Sequence, residues 1–374
     1  MLTFCQQGGD DITKLQPIAV DLFAGAGGLS HGLSEAGFDV KVGVEIDHET
    51  ALTLRKNHLG LQVIESDIRT VTGTAIREQS NLLDMQVSLV AGGPPCRGFS
   101  VSNRKNRHLS NPLNSLYHDF FRIVEDLSPK MFLFENVEGL CTLAEGAVLK
   151  DILTISSRLG YTTNHYFVNS EKFGVPQRRK RALFIGSKKK PFSLGSPQMP
   201  LVSVRQAIDD LPVIDNGNSI DSLPYSRNSR LTDYQKLMRH KNEKVVVNNK
   251  VSKNGDLVLK RYKLIPPGGN WKNLPISLMS NYKNLANCHR WIYYRLKWDE
   301  PSIVISNFRK NMLIHPQQDR GLSVREAARL QSFPDHYIFC GSLGSQQQQI
   351  ANAVPPIMAK WIGKKLIKAL EEIN

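Results

Sequence analysis

Pro17-Ile-Ala-Val-Asp21-Leu-Phe23-Ala-Gly25-Ala-Gly27-Gly28 is a short apolar run that ends in small residues. Five or six apolar positions without alternation read as a strand buried on both faces. The glycines then allow a tight turn, and Leu29 to Ala36 follows with helical spacing. A strand that runs through glycines into a helix is the start of an α/β domain. The backbone can approach a ligand closely at such a turn, and the helix N-terminus favours polar or anionic groups. Taken alone, the loop serves a dinucleotide or a mere turn equally well, and it lacks a clean G-x-G-x-x-G.

Outward from this stretch the alternation continues. Strand-like segments are expected at 40–46, 61–64, 87–91, 131–134, 161–168 and 181–185. Helical periods fall at 49–58, 116–127 and 148–159. Strands and helices in alternation with short links predict a mainly parallel sheet, with ligands at the carboxyl ends of its strands. After Ser187 the character changes to Asn, Ser, Lys and Pro, with few regular helices, short strands at 244–247 and 257–262, and a Pro266-Pro-Gly-Gly269 turn. Gln347 to Asn374 has helical period after Pro355-Pro356 and reads as a closing helix.

Charge divides the chain in the same place. Between Ser187 and Lys310 there are 22 Lys and Arg against 9 Asp and Glu, whereas the rest of the chain has 26 against 25. A basic excess confined to one loop-rich segment suits a polyanionic partner; the plainer reading is a solubilising surface. No apolar run reaches the ~20 residues of a membrane span, and the N-terminus lacks a signal-peptide layout, so a cytoplasmic protein is expected. The five cysteines, Cys5, Cys96, Cys141, Cys288 and Cys340, form no CxxC pair. Neither a disulfide framework nor a zinc site is implied, and no His spacing suggests a metal.

Four features carry chemistry. Glu45 and Asp67 stand at strand ends downstream of the glycine loop, where an acid commonly takes ribose hydroxyls. Cys96 lies just past a strand in Gly92-Gly-Pro-Pro95-Cys96-Arg-Gly, a setting that suits a nucleophile; the plainer reading is a buried structural cysteine, which the flanking glycines and prolines disfavour. Glu135 ends another apolar strand in Phe134-Glu135-Asn136-Val137, on the same rim; partial burial there would suit a general acid. In Gln177-Arg-Arg-Lys-Arg181, Arg179 and Arg181 share one strand face and Arg178 and Lys180 the other.

In this order the pieces resemble the DNA (cytosine-5)-methyltransferase family of bacterial restriction–modification systems. The glycine loop from Asp21 to Gly28 looks like its first cofactor motif, and Glu45 and Asp67 its second and third. Pro94-Pro95-Cys96 is similar to the catalytic motif, Glu135-Asn-Val137 to the acid motif, and Gln177-x-Arg179-x-Arg181 to the arginine motif. Arg325-Glu-Ala-Ala-Arg329-Leu-Gln-Ser-Phe-Pro334 and Gln349-Ile-Ala-Asn352-Ala-Val-Pro355 resemble the last two. A single motif of this kind is weak; the ordered set of eight is specific.

The resemblance implies a Rossmann-like methyltransferase domain with a mixed, mainly parallel sheet, formed by residues 1–186 and 341–374. It also implies a smaller target recognition domain, residues 187–340, binding double-stranded DNA. The cofactor it implies is S-adenosylmethionine, held by Phe23, Gly25, Gly27, Gly28, Glu45, Ile46, Asp67, Ile68, Pro95, Leu116 and Asn352. Cys96 becomes the nucleophile, Glu135 the acid, and Arg179 and Arg181 the groups that hold base and loop. A cognate restriction endonuclease acting on the same site is a further implied partner. Two positions depart from the pattern: Arg97 stands where Gln is usual, and Ala351 where Gly is usual, which costs about 1 kcal/mol if positive φ is needed there. Within the basic segment Arg227, Arg230, Arg239 and Arg261 are candidates for base or phosphate contact. An RNA cytosine methyltransferase, a nicotinamide-dependent oxidoreductase and a noncatalytic DNA-binding protein on the same scaffold remain as rival readings.

Overall fold

The computed structural model describes residues 16–95, 115–226, 230–240, 242–282, 285, 288–310 and 312–373. The first part runs β1 (Ile18–Leu22), α1 (Gly28–Ala36), β2 (Asp39–Glu45), α2 (His48–Asn57), β3 (Gln62–Glu65), α3 (Gly73–Gln79) and β4 (Val87–Gly92). It continues with α4 (Leu116–Leu127), β5 (Met131–Asn136), α5 (Ala147–Arg158), β6 (Thr162–Asn169) and β7 (Lys180–Ser187). The second part holds α6 (Val204–Ile208), β8 (Leu223–Pro224), α7 (Asp233–Met238), β9 (Val245–Val246), α8 (Asp256–Leu264) and α9 (Val324–Leu330). α10 (Leu343–Asn352) and α11 (Pro356–Ile373) close the chain.

The sheet order is β3-β2-β1-β4-β5-β7-β6. β7 is antiparallel to both β5 and β6, and the other pairings are parallel. The chain steps outward from β1 to β3 and then returns to the far side of β1 with β4. The carboxyl ends of β1 and β4 therefore flank a switch point, where open α/β sheets bind ligands. Because β7 runs backwards, its first residues reach the same rim: Ala182 pairs with Asn136 and Leu183 with Glu135.

Two apolar layers sandwich the sheet. On one face Val20, Leu22, Val90, Phe132 and Phe134 meet Phe120, Phe121, Ile123 and Val124 of α4. On the other, Ala19, Leu89, Leu133 and Leu183 meet Leu29 and Leu33 of α1 and Met358, Ile362 and Leu366 of α11. The closing helix thus packs on the first helix. It is two helices and not one, because α10 ends at Asn352 and the chain turns through Ala353 to Pro355 before α11.

A third core joins α6, α7, α9 and α10 and includes Ala26 from the glycine loop. A small fourth one gathers Tyr262, Ile265, Leu274, Met279, Tyr293 and Ile314. It corrects the expected strand at 257–262. Val258, Leu259, Tyr262 and Ile265 pack together at helical spacing, with Asp256 in the first turn, so the segment is helix α8. No helix among the described residues is long and apolar enough to cross a membrane.

Candidate active site

The cofactor half of the rim begins where β1 ends. Phe23 and Gly25 adopt positive φ, 59° and 56°, which turns the backbone sharply. The Gly25 N–H donates to Glu45 Oε2 at 2.9 Å, and the Asp47 N–H to Glu45 Oε1 at 2.8 Å. The loop after β1 is thus tied to the end of β2. Burial raises the Glu45 pKa, and these backbone hydrogen bonds oppose the rise. Beside it Ile46 is 63% exposed, an unusual state for an isoleucine next to a half-buried acid.

Asp67 caps a short turn by accepting from the Arg69 N–H at 3.0 Å and pairs with the Arg69 side chain, which lowers its pKa. Ile68 and Leu116 are buried in the α4 core, and Phe23 packs against the same core.

The three glycines of the loop face different neighbours. A Cβ on Gly25 would find only the Phe23 carbonyl, 4.0 Å away. On Gly27 (φ 85°) it would lie 2.5 Å from Tyr337 Oη and 2.6 Å from His58 Nε2, and on Gly28 it would strike the Val354 carbonyl. The space beside Gly27 and Gly28 is filled by protein, and that beside Gly25 is open. An acceptor carboxylate at Glu45, the apolar face of Ile46, a carboxylate at Asp67 and the clearance at Gly25 fit a nucleoside-bearing group. Asn352 ends α10, exposed, with Oδ1 accepting from Gln348 Nε2 at 2.7 Å. Ala351 is buried, within helix α10, and has no positive φ, so its missing glycine carries no strain.

The other half lies at the ends of β4 and β5. Glu135 is 8% exposed, and Arg181 Nε stands 2.7 Å from its Oε1. That oxygen makes no aligned hydrogen bond among the described residues. Oε2 lies against Gly93, close enough that a Cβ there would sit 2.9 Å away. Asn136 Nδ2 donates to the Pro94 carbonyl at 3.2 Å. The exit of β4 is therefore fastened to the acid at the end of β5. Pro95 is exposed. Cys96 and Arg97, which follow it, lie outside the described residues, as does Arg227. Among the described cysteines Cys141 is buried, and burial pushes its thiol up to about 11.

The alternation expected of the arginine motif is present: Arg178 and Lys180 are exposed, while Arg179 and Arg181 point inward. Arg179 is buried and donates to the carbonyls of Ile305 (3.3 Å) and Asn352 (3.4 Å). It joins the recognition segment to the end of α10. Gln177 reinforces this junction, since its Oε1 accepts from the Ile305 N–H at 2.9 Å and its amide donates to the Leu330 carbonyl at 3.2 Å and to Gln331. Gln331 in turn donates to the carbonyls of Ile350 and Ala353.

Sequence reasoning missed one buried acid. Asp21 accepts from Ser30 Oγ at 2.6 Å, its other oxygen has no hydrogen-bond partner among the described residues, and burial pushes its pKa up to about 7. An acid inside an apolar strand, nine residues before a serine on the next helix, was the available signal. Two of the basic candidates are corrected. Arg261 is buried and donates to the Leu278 carbonyl and to Tyr293. Arg239 pairs with Asp210 at 2.7 Å and lies over the Tyr225 ring. Both support the segment's own cores. Arg230 is exposed.

A seven-stranded, mostly parallel sheet with helices on both faces is the Rossmann-like architecture of DNA methyltransferases. The solved structure of an Escherichia coli prophage-encoded protein, described as a DNA modification methyltransferase, superposes with a TM-score of 0.78 at 27% identity, covering 95% of this chain and 100% of that one. The family model for C-5 cytosine-specific DNA methylases matches residues 18–368. The chain belongs to that family and is a DNA (cytosine-5)-methyltransferase. Among its relatives, the type II methyltransferase M.DdeI of Desulfomicrobium norvegicum is 33% identical over 382 residues, 95% of this chain and 89% of that protein. M1.HphI of Haemophilus parahaemolyticus, also a type II methyltransferase, is 32% identical over 356 residues, 93% of this chain and 86% of that one.

Proposed function

We propose that the protein methylates C5 of a cytosine turned out of a specific duplex DNA sequence, as the modification enzyme of a restriction–modification system. S-adenosylmethionine is the methyl donor. The observation that carries this reading is the buried Glu135 oxygen that has no aligned hydrogen bond among the described residues, held beside Pro94, two residues before Cys96 in the sequence.

Cytosine in a duplex hides its ring atoms, so the base leaves the stack at a cost of a few kcal/mol. C5 of an aromatic ring is also a poor nucleophile. The Cys96 thiolate adds to C6, which breaks aromaticity and makes C5 enamine-like. Glu135 stabilises the charge pushed towards N3 by hydrogen bonding or protonating it. Arg181 orients Glu135, and Arg179 places positive charge towards the O2 edge. C5, now nucleophilic, takes the methyl group that the donor supplies when bound, which leaves S-adenosylhomocysteine; loss of the C5 proton then expels the Cys96 thiolate and restores the ring.

In this scheme Glu45 takes the ribose hydroxyls of the donor, Ile46 packs on its adenine, and Asp67 with Ile68 reads the adenine edge. Phe23, Gly25, Pro95 and Asn352 border the methionine end. Leu116 acts from beneath, through the core it shares with Phe23. Gly27 and Gly28 act by letting helix α1 seat against Tyr337 and Val354. The donor supplies an electrophilic methyl group when bound. Residues 187–340 serve as the recognition domain, and a cognate endonuclease reads the same site.

Duplex carrying 5-fluorocytosine at the target tests the covalent step, because C5 then has no proton to lose. Wild type should give an adduct that survives denaturation, and Cys96→Ser should give none while still binding DNA. Turnover by Cys96→Ser would refute the scheme.

A further inference from the structure

Residues 305–310 run beside α10 in the opposite direction, and the contacts step along both elements together. At the Asn352 end, Arg179 donates to both the Ile305 and the Asn352 carbonyls. One turn back, Asn307 Nδ2 donates to Gln348 Oε1 at 2.9 Å, and Gln348 Nε2 donates to Asn352 Oδ1 at 2.7 Å. One turn further, Arg309 Nη1 stands 3.7 Å from where a Cβ on Gly344 would lie. Two residues of the loop match four of the helix at each step. Gly344 and Asn352 are eight helical residues apart, about 12 Å.

The tip of this loop is fixed and charged. Phe308 is buried, 2% exposed, and its carbonyl accepts from the Leu313 N–H. Asn307 Oδ1 accepts from the Lys310 N–H at 3.1 Å. Arg309 and Lys310 themselves are exposed, and neither side chain is ion-paired among the described residues. Glu49, the acid at this end of α10, is taken up by the Ser342 N–H and hydroxyl. Two cations are thus held beside α10, with no acidic partner among the described residues, about 12 Å along it from the residue that Arg179 grips.

We propose that Arg309 and Lys310 form a phosphate clamp, gripping the DNA backbone within about four base-pair steps of the target cytosine at 3.4 Å per step. Asn307 is the positioning residue that sets the clamp's distance from Asn352 and Arg179. The proposal rests on the reading of this rim as the target-base site. Because the clamp meets backbone and not base edges, it strengthens binding without selecting sequence.

The test is equilibrium binding of the full chain to a mixed-sequence duplex of about 30 base pairs across a salt series. Replacing both cations by alanine should weaken binding and lower the slope of log K against log salt by about 1 per residue. Arg309→Lys should keep the wild-type slope. The same double variant should raise KM for DNA and leave kcat at saturating DNA unchanged. A wild-type slope in the double variant would overturn the clamp. So would an equal loss in the double variant Lys364→Ala with Lys368→Ala, which removes two exposed cations of α11. A slope that falls as expected, in a protein that methylates no cytosine, would support the clamp and overturn the enzymatic reading.

Discussion

Arg329 and Arg181 are inward-facing arginines paired with carboxylates, yet one belongs to the scaffold and the other to the site. Arg329 is fully buried and spends its whole guanidinium. Nε and Nη2 reach Asp335 at 2.6 and 2.7 Å, Nη1 reaches the Ala207 carbonyl and Asp210 at 2.7 and 3.1 Å, and Nη2 also reaches Asp210 at 3.2 Å. Arg181 has one carboxylate, Glu135, beside Nε and one carbonyl, Lys180, on Nη1. Glu135 itself keeps an oxygen without an aligned hydrogen bond among the described residues. The lesson is about unspent capacity. A saturated buried ion pair can only hold its surroundings in place, whereas an unsaturated one can accept a substrate.

Breaking the saturated set should give the largest loss of stability. Arg329→Ala leaves Asp335 and Asp210 buried without their shared cation, and should cost about 3–5 kcal/mol in denaturant unfolding. A loss below about 1 kcal/mol would mean the network relaxes and the contrast is false. The unsaturated pair should respond the other way. Glu135→Gln keeps the shape but removes the acid; methyl transfer should fall by about 10²–10⁴-fold, with the unfolding midpoint close to wild type. Equal losses of activity and stability would make Glu135 part of the scaffold.

The smallest effect sharpens the comparison through pH. Burial alone would raise the Glu326 pKa, but its partner Arg320, 2.7 Å away, outweighs it and holds the acid at about 2. A depressed folded pKa contributes stability that is full above the unfolded value and is lost as pH falls towards 2. The stability difference between wild type and Glu326→Gln should therefore shrink progressively below about pH 4.5. A constant difference down to pH 2 would contradict this assignment.

Much of this contrast was legible in the sequence on one side only. Helix α4 follows its apolar period to the residue, because Leu116, Phe120, Phe121, Ile123, Val124 and Leu127 form one continuous stripe. The rim was legible because strand ends, glycines and acids recur in a fixed order. The recognition segment was not. Arg239 and Arg261 looked like candidates to grip DNA because composition counts a charge without showing its neighbours. Asp210 and the Leu278 carbonyl take them up across 29 and 17 residues. Helix α8 stands where the sequence predicts a strand, because its nine residues are too few for the helical period to stand out. Gly27 and Gly28 were recognised as special, but what crowds them includes Tyr337 and Val354, more than 300 positions on, and no local pattern carries that information.

That crowding has a consequence for how the protein comes into being. The Tyr337 hydroxyl donates to the Ala26 carbonyl, Val354 abuts Gly28, and α11 covers α1. As the chain leaves the ribosome, the turn after β1 therefore acquires its final neighbours only once residues more than 300 positions further on have been made.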